Sequence, residues 1–229
     1  MRRSGKIRRG LSQTYNDMKN IEAIESKKIV HEMVVVAFDM CSSSKILEDL
    51  TRTNSLAQYD LLLKNLQLWL AANAKSAGFV LYKFTGDGWI LIFPKERVTG
   101  VGLMAFLVKL SKKHVKFRQD FVDGYLESMP ASVGLTLGID LGQVRKVTFA
   151  TGEVEFVGRP INVACRLQTA VKDKKPGPDY RCLMSRKVYN EFMRDVADFH
   201  FIHADRVLRN ISGGEKYQCC KVDFTKAMG

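Results

Sequence analysis

The run Met33-Val34-Val35-Val36-Ala37-Phe38 is apolar and β-branched enough to demand a buried strand, and it runs straight into an acid, Asp39. A second acid, Asp87, lies between glycines in Lys83-Phe84-Thr85-Gly86-Asp87-Gly88-Trp89. That pattern predicts a tight turn joining strands at 79–84 and 89–93, with the acid at its tip. Burying a bare carboxylate costs on the order of several kcal/mol unless the group is paired or ligates a metal. If the two strands are neighbours, the acids converge. Paired carboxylates on adjacent strand ends are how phosphoryl-transfer enzymes hold Mg2+ or Mn2+ against a nucleoside triphosphate. The competing reading is a surface turn aspartate beside an unrelated strand-end aspartate.

A chain of 229 residues with 46% hydrophobic content can bury a substantial core, and we read one domain, 27–229, behind a basic N-terminal tail, 1–26, that stays disordered or makes a partner or dimer contact. No segment approaches the ~18 consecutive apolar residues of a membrane span. The start Met1-Arg2-Arg3-Ser4-Gly5-Lys6-Ile7-Arg8-Arg9 lacks the apolar region of a secretory signal, so a cytoplasmic location is expected. Cys41, Cys165, Cys182, Cys219 and Cys220 are an odd, scattered set without C-x-x-C spacing, which supports neither a disulfide framework nor a zinc site. The net charge of +12 fits nucleic acid, an anionic membrane or a small polyanionic substrate. Its basic clusters, in the tail, in 109–118 and in 172–178, lack the aromatic interleaving of a single-strand binding face, so solvated helix faces and loops explain most of it. No stable nucleic-acid or membrane partner is expected.

Along the chain, helices are predicted at 45–51 and 56–77, the second with Leu62, Leu66, Trp69 and Leu70 at helical spacing and Gly78 as its stop. The 79–93 hairpin follows, then an amphipathic helix at 98–117. A strand at 131–139 and a further hairpin strand at 144–148 come next, with Gly142 between them. A helix at 161–171 carries Pro160 in its first turn. Strands at 182–184, 199–207 and 217–222 and a helix at 185–194 complete the pattern. The order is that of an α+β, ferredoxin-like split β-α-β core: a mostly antiparallel sheet with helices packed on one face.

In the 161–171 helix, Asn162 and Arg166 are four apart and share a face. By themselves they could be a surface pair. Four ordered motifs, however, resemble those of class III nucleotidyl cyclase catalytic domains. They are Phe38-Asp39-Met40 at a strand end, Lys83-x-x-Gly86-Asp87-Gly88, Gly134-x-x-x-Gly138 with Gly142, and Glu155-x-x-Gly158-x-x-x-Asn162-x-Ala164-x-Arg166. The resemblance spans about residues 33 to 222.

It implies that Asp39 and Asp87 hold two Mn2+ or Mg2+ ions per active site, with the backbone carbonyl of Met40 as a further ligand. Asn162 would orient the ribose and Arg166 would stabilise charge on the α-phosphate. Phe38, Lys83 and Glu155 would contact the substrate. Such sites form between two subunits, so a homodimer with composite sites is implied.

Lys83 stands where adenylate cyclases carry a base-reading Lys, and Glu155 where they carry an Asp; guanylate cyclases show Glu and Cys there. Guanine is disfavoured. The Met40-Cys41-Ser42-Ser43-Ser44 turn departs from purine cyclases, which have an aliphatic residue and a Gly after the Asp. That turn and the compact form look most like the pyrimidine cyclases of the bacterial Pycsar anti-phage systems, which make cyclic UMP or cyclic CMP for a separate effector protein. The expected activity is therefore that of a pyrimidine cyclase, acting on UTP in preference to CTP; the alternative is an adenylate cyclase acting on ATP. A catalytically silent nucleotide-binding module and a nucleic-acid binder working through the basic tail are the readings from other classes. Trp69 and Trp89 are expected in the core or at a dimer face, Cys219 and Cys220 as one core and one exposed thiol, and His31, His114, His200 and His203 outside any metal site.

Overall fold

The computed structural model describes residues 30–171, 180–211, 213–224 and 227; the expected tail and the basic loop 172–178 lie outside them. Strand β1 (Val30–Met40) is followed by helices α1 (Ser43–Arg52) and α2 (Leu56–Ala77). The hairpin of β2 (Val80–Phe84) and β3 (Gly88–Pro94) leads into α3 (Gly100–Phe121). Then come β4 (Leu135–Thr148), β5 (Val154–Val157), α4 (Arg159–Ala170) and β6 (Tyr180–Ser185). A short helical stretch, Arg186–Val188, runs into a π-helical turn, Tyr189–Met193, before β7 (Phe201–Val207) and β8 (Lys216–Asp223). The strands form one sheet in the order β2-β3-β1-β4-β6-β8-β7, with β5 paired to β4. Among the described residues only β4 and β6 pair in parallel, with α4 between them in the chain.

This is the expected α+β architecture, with β1 and β4 side by side in the interior of the sheet. Val34, Val36, Phe38 and Met40 point to the face covered by α1, α2 and α3, where they meet Leu62, Leu66, Leu70, Leu103 and Leu107. Each fully buried leucine there contributes roughly 1.5–3 kcal/mol. Val35 and Ala37 point to the other face, where α4 supplies Ala164. The run 33–38 is therefore apolar at every position because both faces of the strand are covered there. Gly78 ends α2 in the left-handed conformation (φ 77°), as its place in the sequence predicts.

Four expectations are corrected. Helices cover both faces, not one: α4 lies alone on the second, directly against β4 at Gly138, where a Cβ would sit 2.0 Å from the Ala164 carbonyl oxygen. The strands expected at 131–139 and 144–148 are one strand, Leu135–Thr148, whose hairpin partner is β5. Gly142 does not break it; opposite Met33, it makes room for Pro160 of α4, whose Cγ a Cβ would approach to 3.0 Å. The 185–194 helix is α-helical only over Arg186–Val188 before widening into the π turn. Cys219 and Cys220 are both buried, because β8 is covered on both faces: Cys220 joins the first core and Cys219 the α4 side.

Candidate active site

Asp39 pairs with Gly88 across β1 and β3, which puts Asp87 at its side, and the Met40 N–H donates to the Asp87 carbonyl at 3.2 Å. The approach is close enough that a Cβ at residue 88 would lie 1.8 Å from the Phe38 carbonyl oxygen. Only glycine fits there. The turn closes through the Thr85 N–H to the Gly88 carbonyl (2.9 Å), with Gly86 at φ 104°. The two acids therefore converge as the sequence predicts.

Their surroundings hold them in place. The Ser43 hydroxyl, in the first turn of α1, donates to the Asp87 carboxylate. Ser42, at φ 58°, makes the sharp entry to that helix and bonds the Ser132 carbonyl at 2.7 Å. The left-handed backbone position in this turn is thus Ser42, next to the buried Cys41 at the strand end. From the other face, the Gln168 side-chain amide donates to Asp39 Oδ2 at 3.2 Å. Tyr59 of α2 is 4% exposed, and its hydroxyl has no hydrogen-bond partner among the described residues. Burial, with the nearby Asp87 and Asp39 charges, pushes its pKa up.

Among the described residues no three His, Cys, Asp or Glu side chains gather as a metal cluster, so any ion here rests on the two carboxylates. The two carboxylates, near a buried hydroxyl that has no hydrogen-bond partner among the described residues, offer an ion oxygen donors. That suits Mg2+ or Mn2+, which keep several waters and take one or two carboxylates plus substrate phosphates. The donor set fits such an ion.

The remaining expected residues fall into two groups. Lys83 and Glu155 meet: Lys83 Nζ lies 2.9 Å from Glu155 Oε1, and the Tyr82 hydroxyl bonds the other carboxylate oxygen and accepts the Phe156 N–H at 3.3 Å. Tyr82 and then Lys83 hold the Glu155 carboxyl below its usual range, and Glu155 raises Lys83. Asn162 and Arg166 are exposed on the outer side of α4. Phe38 and Met40 have their side chains in the core, the Phe38 ring 5.8 Å from that of Trp89, so whatever either offers a ligand comes from its backbone. Trp69 stacks on Phe106 at 6.1 Å.

Sequence reasoning missed Ser43, Tyr59, Tyr82 and Gln168. A signal existed for two of them. Serines directly after a strand mark a helix start, and Gln168 is a polar residue four after Ala164 on the buried stripe of α4.

No family model matches the sequence, and no curated protein does. Solved structures do. The chain is similar to the adenylyl cyclase CyaB from P. aeruginosa, with a TM-score of 0.66 and 21% identity over 85% of this chain and 94% of that one. It is similar to the guanylyl cyclase Cya2, with a TM-score of 0.63 and 13% identity over 85% and 92%. A third is the catalytic core of a rhodopsin-guanylyl cyclase with converted specificity in complex with ATPαS, at 0.60 and 19% over 85% and 96%. The fold is that of class III nucleotidyl cyclase catalytic domains.

Proposed function

We propose that this chain is a nucleotidyl cyclase that converts a pyrimidine nucleoside triphosphate, UTP before CTP, into its 3′,5′-cyclic monophosphate and pyrophosphate. The observation that carries the reading is the convergence of Asp39 and Asp87 at one strand end in a chain that also exposes Asn162 and Arg166 on α4. In a homodimer, Asp39 and Asp87 of one subunit face Asn162 and Arg166 of the other, giving two equivalent composite sites.

Asp39, Asp87 and the Met40 carbonyl would hold the divalent ions, which would supply acidity at the ribose 3′-hydroxyl and positive charge against the triphosphate. Ser43 holds the Asp87 carboxylate in place from the start of α1, where the helix N-terminus favours the phosphates. Asn162 orients the ribose for in-line attack on the α-phosphorus. Arg166 presents a planar fork to the equatorial oxygens, where charge builds as pyrophosphate leaves. Removing such a preorganised donor costs ~10²–10³-fold in rate.

Lys83 of β2 and Glu155 of β5 place one donor beside one acceptor at the surface. That pattern reads the ring nitrogen and amino group of cytosine or adenine, and in reverse order the N–H and carbonyl of uracil. Glu155 reaches one methylene further than an aspartate would, and Tyr82 holds it. A single-ring base, whose reading edge lies nearer its ribose, needs that reach. Cyclic AMP is the second reading, because the same pair also matches adenine. Resemblance to the Pycsar cyclases extends the first: the product would be a second messenger for a separate effector in anti-phage defence.

Incubation with UTP, CTP, ATP and GTP separately, with Mn2+, and mass spectrometry of the products tests this. Cyclic UMP or cyclic CMP with pyrophosphate is expected. Cyclic AMP alone would move the substrate to ATP, and tight nucleotide binding without product from any of the four would make the chain a silent binding module.

A further inference from the structure

Helix α4 turns about 100° per residue, so Gln168 lies about 200° from Arg166, on the opposite side. Arg166 and Asn162 are exposed, whereas Gln168 is 8% exposed and lies under the helix against the sheet. There its Nε2 donates to Asp39 Oδ2 at 3.2 Å and to Thr136 Oγ1 at 2.7 Å. A side-chain amide has two N–H donors, and an ionised carboxylate only accepts, so the amide orientation is set and both donors are used. Thr136 in turn donates to the Asp39 carbonyl at 3.4 Å, while the Thr169 hydroxyl donates to the Cys165 carbonyl at 3.1 Å and lies 3.4 Å from Gln168 Oε1. The Asp39 carboxylate is thus held by a buried amide whose other N–H is tied to Thr136. The helix can lie this close because Gly138 has no Cβ; one would stand 2.3 Å from the Gln168 backbone nitrogen.

We propose that Gln168 is a positioning residue for the Asp39 carboxylate, so that one helix aligns the metal-binding half of its own subunit's site while presenting Asn162 and Arg166 to the other site. This rests on the cyclase reading. Residues that orient a metal ligand typically change metal affinity or activity 10–100-fold when replaced.

The test is a titration of the nucleotide-free dimer with Mn2+, followed by electron paramagnetic resonance of the free ion. The proteins are wild type, Asp39→Ala, Gln168→Met, which keeps length and loses both donors, and Gln168→Asn, which keeps the amide but falls short. The expected result is a Mn2+ affinity at least tenfold weaker in both Gln168 variants, and no site in Asp39→Ala. Wild-type affinity in either folded Gln168 variant, with the site lost in Asp39→Ala, would overturn this inference alone. Equal binding by wild type and Asp39→Ala would overturn the cyclase reading and this inference with it.

Mixed dimers separate positioning from a general displacement of α4. A dimer of one Gln168→Met and one Arg166→Ala chain keeps one site with intact Asp39, Gln168 and Arg166, the Arg166 coming from the Gln168→Met chain. That site is expected to show wild-type Mn2+ dependence of turnover. A weakened dependence there would mean that Gln168 acts by holding the helix, which contradicts the proposal.

Discussion

His114, inside α3, is 2% exposed with its Nδ1 3.2 Å from the Tyr180 hydroxyl. Burial first, and then the nearby Arg118 charge, lowers its pKa from 6.5 to about 3. The native state therefore takes up its proton later than the unfolded chain does. The stability this gives is fully present above about pH 6.5 and is lost as pH falls towards about 3. Between pH 7 and pH 5 the loss is about 2 kcal/mol. Urea unfolding at both pH values should show that loss in the wild type and a smaller one, by about that amount, in His114→Gln. Equal losses would mean the ring is not held neutral. At this scale sequence was most legible where chemistry conflicts with its setting, as at Asp39 and Asp87, which end or interrupt apolar strands. Tyr59 and His114 gave no such signal, because both also read as ordinary helix residues; only the fold shows them buried.

The docking of α4 on β4 depends on Gly138, whose replacement meets backbone atoms of Ala164 and Gln168 rather than a flexible side chain. Gly138→Ala should cost roughly 1–3 kcal/mol or more through overpacking. By contrast, Gly124→Ala, with nothing within 4 Å of its Cβ, should stay within about 0.5 kcal/mol of the wild type. Thermal and urea unfolding of the two variants checks the contrast; similar stabilities would show that α4 docks more loosely. Element boundaries were legible where local chemistry sets them, as at Gly78 after α2. They were not at Gly142, which reads as punctuation along the chain yet serves packing across it. Nor does the apolar pattern of α4 tell which sheet face it covers, since β1 is apolar on both.

For the whole molecule, the composite site proposed above requires two chains. Asp39 and Asp87 meet at one strand end, whereas Asn162 and Arg166 look outward from α4, each next along the chain to a partly buried residue, Ile161 and Cys165. Four ordered motifs made this division legible as a resemblance, but the base was not, because the proposed pair of one donor beside one acceptor, Lys83 and Glu155, matches more than one base. The net charge of +12 suits attraction of a triphosphate at a distance. The most direct test of the account is complementation. Asp87→Ala and Arg166→Ala chains, each expected to be ~10²–10³-fold impaired alone, are co-expressed and assayed for cyclic nucleotide. Random pairing makes half the dimers mixed, each with one intact site, so activity should return to about a quarter of wild type. Mixed dimers that form but stay at the level of their parents would contradict a composite site built from these four residues.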